Sequence, residues 1–467
     1  MFKQKLLTIS LVILTFLVTS AFSQEKEVFT LDKSVEMVLE QNPDIKIAEK
    51  QLKKASAGVG VAYSNILPQL NASMNIQHAY NLQENTMPNF VKAGFGDPNN
   101  PATPEFVRNM PDYIRLSFGL ENTFTYGAQL TQPLFLGWAG IAGIQTAKAA
   151  ERAAEQNVES KRQDLIYQTA NVFYGCMMAQ ELVKVQEEAL AQSKANLDNV
   201  LKKYNVGSAS GFDKMRAEVE YANLQPELIS ARNNYQSALT GLRTILGLDK
   251  GTEIEAQGEF KYSEDDLLNS PLSDLQNLAM ENRPDLKALD EQKTMASKGV
   301  TIARSDFLPK VFFQTDYSYM AQRNDYKFNQ NDFSKGFTSA VSVQIPLFSG
   351  FKSVRQYQQA RLDRGIMMDT EKQVFDGVAA QVEVAYNKLQ EANEKYMSAK
   401  ETVNLATEAL RLANLMYDEG ANTQLDVLNS QLALTRARMN FVSSLHDYQV
   451  ARYELRKVTG LLEGILE

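Results

Sequence analysis

Two aspartates stand where a carboxylate can act on the backbone. Asp213 closes the stretch Ser210-Gly-Phe-Asp213, and Asp426 closes Thr423-Gln-Leu-Asp426. In each, a hydroxyl precedes the acid by three residues, the spacing of a capping box, in which hydroxyl and carboxylate satisfy free amides at a new helix start. Gly207 and Gly420 stand just upstream, at the position where a left-handed residue ends a helix. "YNVGSASGFD" and "YDEGANTQLD" therefore read as two helix–turn–helix hairpins. Each carboxylate serves first in helix initiation, aided by the helix dipole.

Other reactive side chains are few and scattered. His78 and His446 lack partners at ligand spacing, His78 reading as a loop residue and His446 as part of the last helix. Cys176 falls on an apolar helical seam, where a small core residue is the default. No nucleophile, base and orienting group converge, no glycine loop suits a phosphate, and the methionines are too dispersed for a soft-metal relay. The sequence thus gives no catalytic residue, no metal site and no cofactor. Its formal charge of −8 is made of mixed signs without a basic run, which excludes a nucleic-acid footprint.

The hairpins need long elements to hold them. Val378, Val382, Ala385, Leu389, Ala392, Tyr396, Ala399, Val403, Ala406, Leu410, Ala413 and Tyr417 alternate spacings of four and three. This heptad period implies left-handed supercoiling against neighbouring helices. Leu165, Val172, Ala179, Val183, Leu190, Leu197, Val200 and Tyr204 carry the same seam earlier. A helix over about 140–206 would be on the order of 100 Å long, too long for a compact globule. Elsewhere the period falls to two. Leu70, Ala72, Met74 and Ile76 alternate with polar residues, as do apolar residues across 116–131, in a less regular strand at 311–320, and from Phe337 to Ile345. A membrane barrel with a wet lumen and a half-buried soluble sheet both give this pattern. Between paired strands lie two long polar loops, 81–115 and 321–335, the first interrupted by five prolines. Four strands cannot close a spanning barrel alone, so a barrel requires several chains.

The plan occurs twice. Pro43 and Pro68 match Pro284 and Pro309 at one constant separation. Pro133, Gly207, Asp213, Tyr235 and Gly247 match Pro346, Gly420, Asp426, Tyr448 and Gly460 at a second, shorter one. A single insertion in the first half, between Pro68 and Pro133, accounts for the change. Three domains follow: a secretory signal peptide over 1–23, with a basic start, an apolar core and "AFS" before Gln24; a first repeat, 24–247; and a second, 273–467. Residues 248–272 join the repeats. Beyond residue 23 no run approaches the roughly 18–20 apolar residues of a spanning helix.

Signal peptide, duplicated helix–strand–strand–helix plan, "NPD" and "RPD", "ILP" and "FLP", "QPLFLG" and "IPLFSG", and the turns "YNVG" and "YDEG" occur in one order. Together they resemble the TolC-like outer membrane efflux protein family over nearly the whole mature chain. The resemblance implies a mainly α fold with a β-barrel portion. It would be a homotrimer whose α-helical periplasmic tunnel joins a shared twelve-stranded outer-membrane β-barrel, four strands per protomer. Residues 248–272 would join a belt around the tunnel. It implies an exit duct for efflux or type I secretion in the outer membrane of a Gram-negative cell. Its partners would be outer-membrane lipid, a periplasmic adaptor, and an inner-membrane transporter of RND, ABC or MFS type. The rival reading is an exported, non-porous coiled-coil scaffold or surface fibre.

The resemblance also gives the turns a second role, as the tip that closes the tunnel. Asp426 matches an aspartate ringing the constriction, where carboxylates crowded around a lumen attract cations and raise one another's pKa. Asn429 replaces a second acid of the family type, and Asn422 replaces an arginine that ties neighbouring tips. Tyr417 and Asp213 match a pair holding the tip within one protomer. Val206, Gly207 and Ser208, with Glu419, Gly420 and Ala421, match the turns where an adaptor docks.

Overall fold

The computed structural model describes residues 26–462 apart from 96, 98 and 99. The expected signal peptide and its cleavage point before Gln24 lie outside the described residues. In chain order the first repeat contributes β1 (Glu27–Phe29), α1 (Leu31–Gln41), α2 (Pro43–Ser64), β2 (Gln69–His78), β3 (Glu84–Pro88), α3 (Phe90–Gly94), α4 (Glu105–Arg108), β4 (Tyr113–Ser117), β5 (Asn122–Phe135), α5 (Ala139–Asn205) and α6 (Gly211–Ile245). After β6 (Ile254–Ala256) the plan recurs as α7 (Leu272–Asn282), α8 (Pro284–Ser305), β7 (Lys310–Arg323), β8 (Ser334–Gln344), α9 (Lys352–Asp418) and α10 (Gln424–Val458). The two copies of the long helix, α5 and α9, have 67 residues each, and α6 and α10 have 35 each. Pro43 and Pro284 open α2 and α8 at the first helical position, where a missing N–H costs nothing.

Two compact units result. One holds the chain up to Ser56, Ala149–Thr294 and Gly365 onward; the other holds Ala57–Lys148 and Met295–Arg364. The first is helical, with two cores related by the repeat. Leu165, Ile166, Phe173, Cys176, Leu239 and Leu242 build one, and Val378, Val382, Leu389, Tyr448, Ala451 and Leu455 the other. Cys176 and Leu389 hold equivalent places, and burial pushes the Cys176 thiol up to about 12, removing its reactivity. The segment after α6 is drawn into this unit. β6 pairs in parallel with β1, and Tyr262 stacks on Tyr396 with centroids 4.7 Å apart. Asp265, 1% exposed, receives Arg452 Nε at 2.7 Å and Arg456 Nε at 2.9 Å.

In the second repeat Val378, Val382, Ala385, Leu389, Ala392, Tyr396, Leu410 and Ala413 of the expected seam are buried, and Ala399, Val403, Ala406 and Tyr417 are half-buried. The seam needs correction in the first. Val172, Val183, Leu190 and Leu197 are only half-buried and Tyr204 is exposed, whereas Gln186, Ala189, Ser193 and Asn196 are buried. Heptad spacing persists, but its buried line is polar there. α5 lies between neighbours on more than one side, Glu187 receiving Arg232 of α6 and Glu188 receiving Arg438 of α10. A single stripe therefore does not describe it.

The second unit is built on an antiparallel sheet in the order β2-β5-β7-β8. Cross-strand partners share a face. Leu70, Met74 and Ile76 pair with Leu130, Tyr126 and Phe124, and the same face continues through Tyr317 to Phe337 and through Phe313 to Val341. The other face carries Asn71, Ser73, Asn75, Gln129, Thr131, Gln314, Asp316 and Thr338, with Pro133, Phe312, Met320 and Ala340 among them, while Gln132, Thr315, Lys335 and Ser339 interrupt the apolar face. The apolar face is open, Leu70 being 70% and Phe337 72% exposed.

Two expectations fail in this unit. Alternation across 116–131 does not mark one strand, because Gly119, at φ 106°, turns the chain. Residues 113–117 instead pair with 84–88 in a separate ribbon. The loop between is thus structured: Val107 within α4 and Asn89, which caps α3, are buried. His78 ends β2 rather than lying in a loop, its Nδ1 2.8 Å from Asn122 Oδ1.

Candidate functional site

Each hairpin turn is written by local sequence. α5 ends with Gly207 at φ 79°, its N–H donating to Tyr204 O (2.9 Å) and that of Ser208 to Lys203 O (2.8 Å). α9 ends alike: Gly420 is at φ 76°, Gly420 N donates to Tyr417 O (3.2 Å) and Ala421 N to Met416 O (2.8 Å). This paired pattern satisfies the last carbonyls and needs a residue that tolerates positive φ. Val206 and Glu419 precede the two glycines, and Val206 is 79% exposed.

Both capping boxes form. Asp213 N donates to Ser210 Oγ at 3.1 Å, and Asp213 Oδ2 accepts from Ser210 N at 3.2 Å. Asp426 Oδ2 accepts from Thr423 Oγ1 at 2.6 Å and Thr423 N at 3.0 Å. The Thr423 hydroxyl, then its backbone N–H, hold the Asp426 carboxyl below the usual carboxylate range. The carboxylate itself is exposed, as is Asn429 one turn on. Asn422 turns back on its own hairpin, its N–H donating to Met416 O at 3.2 Å and Nδ2 lying 3.7 Å from Met416 Sδ.

The hairpins are joined by a residue that the sequence reading missed. Lys203 Nζ, from the end of α5, lies 3.1 Å from Asp418 Oδ1, donates to Tyr417 O at 3.1 Å and sits 3.9 Å from the Tyr417 ring centroid. Asn199 Nδ2 reaches the same Asp418 oxygen at 3.2 Å. The Asn199 amide, then Lys203, lower the Asp418 pKa. The expected Tyr417–Asp213 pair is not hydrogen-bonded among the described residues. Asp213 acts on Tyr417 as a charge: burial first, then Asp213 and Asp418, raise the phenol's pKa. A cation over a ring face and an ion pair at one point make a compact tie.

Lys203 therefore brings the ends of the two long helices together at Tyr417 and Asp418, with Asp213 acting on Tyr417 as a charge, while Asn422 bonds within its own hairpin at Met416. Asp426 and Asn429 face solvent on the first turns of α10. Among the described residues, no three His, Cys, Asp or Glu side chains gather at ligand distance. No helix of the described residues is long and apolar enough to cross a membrane.

A family model described as outer membrane efflux protein matches residues 35–248 and 275–461, the two repeats without their joint. Among curated proteins, the chain is 22% identical to the alkaline protease secretion protein AprF of Pseudomonas aeruginosa, over 72% of this chain and 69% of that one. It is 25% identical to the cobalt-zinc-cadmium resistance protein CzcC of Cupriavidus metallidurans, over 73% of this chain and 78% of that one. Among solved structures, the Campylobacter jejuni CmeC outer membrane channel superposes with a TM-score of 0.73 at 18% identity, over 92% of this chain and 86% of that one.

Proposed function

Because this chain belongs to the outer membrane efflux protein family, we propose that it is an outer-membrane exit duct of a tripartite efflux pump or type I secretion system. The observation that carries this reading is the two-faced sheet. Its apolar face is uncovered and its other face is polar, as lipid outside and water inside require. Among the described residues, the outer edges of its edge strands, β2 and β8, have no strand partner within one chain. An open edge invites pairing, and four strands are too few to close. In the order β2-β5-β7-β8 the edge strands run in opposite directions, so β8 of one copy can pair antiparallel with β2 of the next. Three copies then close a barrel of twelve strands, with α5, α6, α9 and α10 of each copy forming the periplasmic tunnel. Transport through such a lumen is passive.

The helical hairpins form the periplasmic tip in this reading. Val206, Gly207, Ser208, Glu419, Gly420 and Ala421 present the turns to a periplasmic adaptor, which links the duct to an inner-membrane transporter. Asp426 places one carboxylate per protomer at the constriction, with Asn429 leaving the ring single. Asn422 cannot supply a charged tie between protomers. Lys203, bound to Tyr417 and Asp418 with Asp213 nearby, holds the tip within each protomer instead, and its release lets the hairpins move apart.

Expression in a Gram-negative host, with fractionation and planar-bilayer recording, tests the proposal. The expected result is a trimer in the outer-membrane fraction with small, cation-preferring conductance. A water-soluble monomer or dimer without conductance would overturn it.

A further inference from the structure

Gln424 opens α10 directly after the cap residue Thr423. Its side chain is 2% exposed, yet neither Oε1 nor Nε2 has a hydrogen-bond partner among the described residues. A primary amide has four hydrogen-bonding positions, and a buried one left unmade opposes the conformation that buries it. The surroundings explain the orphan. Val427 lies one turn on along the same face of α10 and belongs with Leu410, Ala413 and Leu434 to the apolar cluster that joins α9 to α10, against which Tyr417 packs. Gln424 thus prolongs an apolar stripe with an amide. The first hairpin has Gly211 at the equivalent position, so only the second hairpin carries this group. A neighbouring protomer cannot satisfy the amide without first displacing what covers it.

We propose that Gln424 is a positioning residue that biases the second hairpin toward its open arrangement. The closed tip would then be a balance: the Lys203 tie and the apolar cluster favour closure, and the orphaned amide opposes it. Movement of α10 away from α9 exposes the amide to water, which satisfies it. This inference rests on the reading of the hairpins as a gate.

Gln424→Met tests it, since methionine matches the shape and removes the amide. Trimers of the wild type, Gln424→Met and Lys203→Met are recorded in planar bilayers, and amide exchange at 417–430 is followed by mass spectrometry. Gln424→Met should lower the open probability about tenfold, the weight of one unmade buried hydrogen-bonding group. It should also slow exchange at the tip without changing exchange in the sheet strands. If Lys203→Met raises conductance while Gln424→Met leaves it unchanged or raises it, Gln424 has no such role, as when a trapped water satisfies the amide. If Lys203→Met also leaves conductance unchanged, the gate reading itself falls, and this proposal with it.

Discussion

Lys203 and Asp418 form an ion pair of 3.1 Å between the C-terminal ends of the two long helices. The pair breaks the internal symmetry of the chain. The position equivalent to Lys203 in the second repeat is Met416, and that equivalent to Asp418 in the first is Asn205. The charges therefore tie one repeat to the other and have no duplicate.

Lys203→Met removes the ammonium from both Asp418 and the Tyr417 ring. The pair is partly exposed, so its worth to folding is about 1 kcal/mol or less. The expected outcome is a nearly unchanged melting temperature with a several-fold rise in bilayer conductance. Equal conductance would leave Lys203 a surface ion pair only.

Asp426 offers two roles that a pair of substitutions separates. Asp426→Asn keeps an oxygen for the Thr423 amide but loses the charge, and Asp426→Ala loses both. Block of the channel by divalent cations should fall in both variants. Helix stability should fall mainly in the alanine variant, which loses the acceptor for the Thr423 N–H. Undiminished block in the asparagine variant would restrict Asp426 to capping.

The buried carboxylate of Asp265 sets an acid limit. Burial alone would raise its pKa, but hydrogen bonds from Arg456, the Leu267 N–H and Arg452 outweigh that and hold it below the usual range. A depressed folded pKa gives stability that is full above the unfolded value, near 4, and is lost as pH falls through the folded value. Thermal melts of the wild type should therefore decline below about pH 4. Asp265→Ala takes the carboxylate from Arg452 and leaves Arg456 with Asp266 alone, and should cost about 3–5 kcal/mol, with the acid decline reduced. A melt insensitive to this substitution would contradict the ion cluster's role.

Gly420→Val places a β-branched residue at φ 76°. Left-handed backbone costs an ordinary side chain about 1–2 kcal/mol. Faster amide exchange at the end of α9 is expected, with adaptor pull-down weakened if the turn is the docking surface. Protection equal to wild type would show that the turn tolerates another geometry.

The parts of this architecture that could be read from sequence are the local ones and the repeated ones. The capping boxes at Ser210–Asp213 and Thr423–Asp426 were legible because each is complete within four residues. Element order was legible because two copies corroborate each other. Lys203 was not, because its partners lie more than 200 residues away and its repeat position holds Met416. Symmetry hides such a residue, and a charge mismatch between aligned halves is the signal that would have found it. The alternation through Gly119 misled because period two continues across a turn. The polar line Gln186, Ser193 and Asn196 was invisible to a search for apolar heptads.

The insertion in the first repeat leaves β2 and β5 joined by a long loop that contains the β3–β4 ribbon, while Asn324–Phe333 suffices between β7 and β8. In a threefold assembly the two kinds of loop alternate around one rim. The strands beneath then have a pseudo-sixfold arrangement, but the rim shown to the outside world is strictly threefold. An antibody fragment raised against the ribbon should saturate at three copies per channel, and trimming the ribbon would make the outline more even.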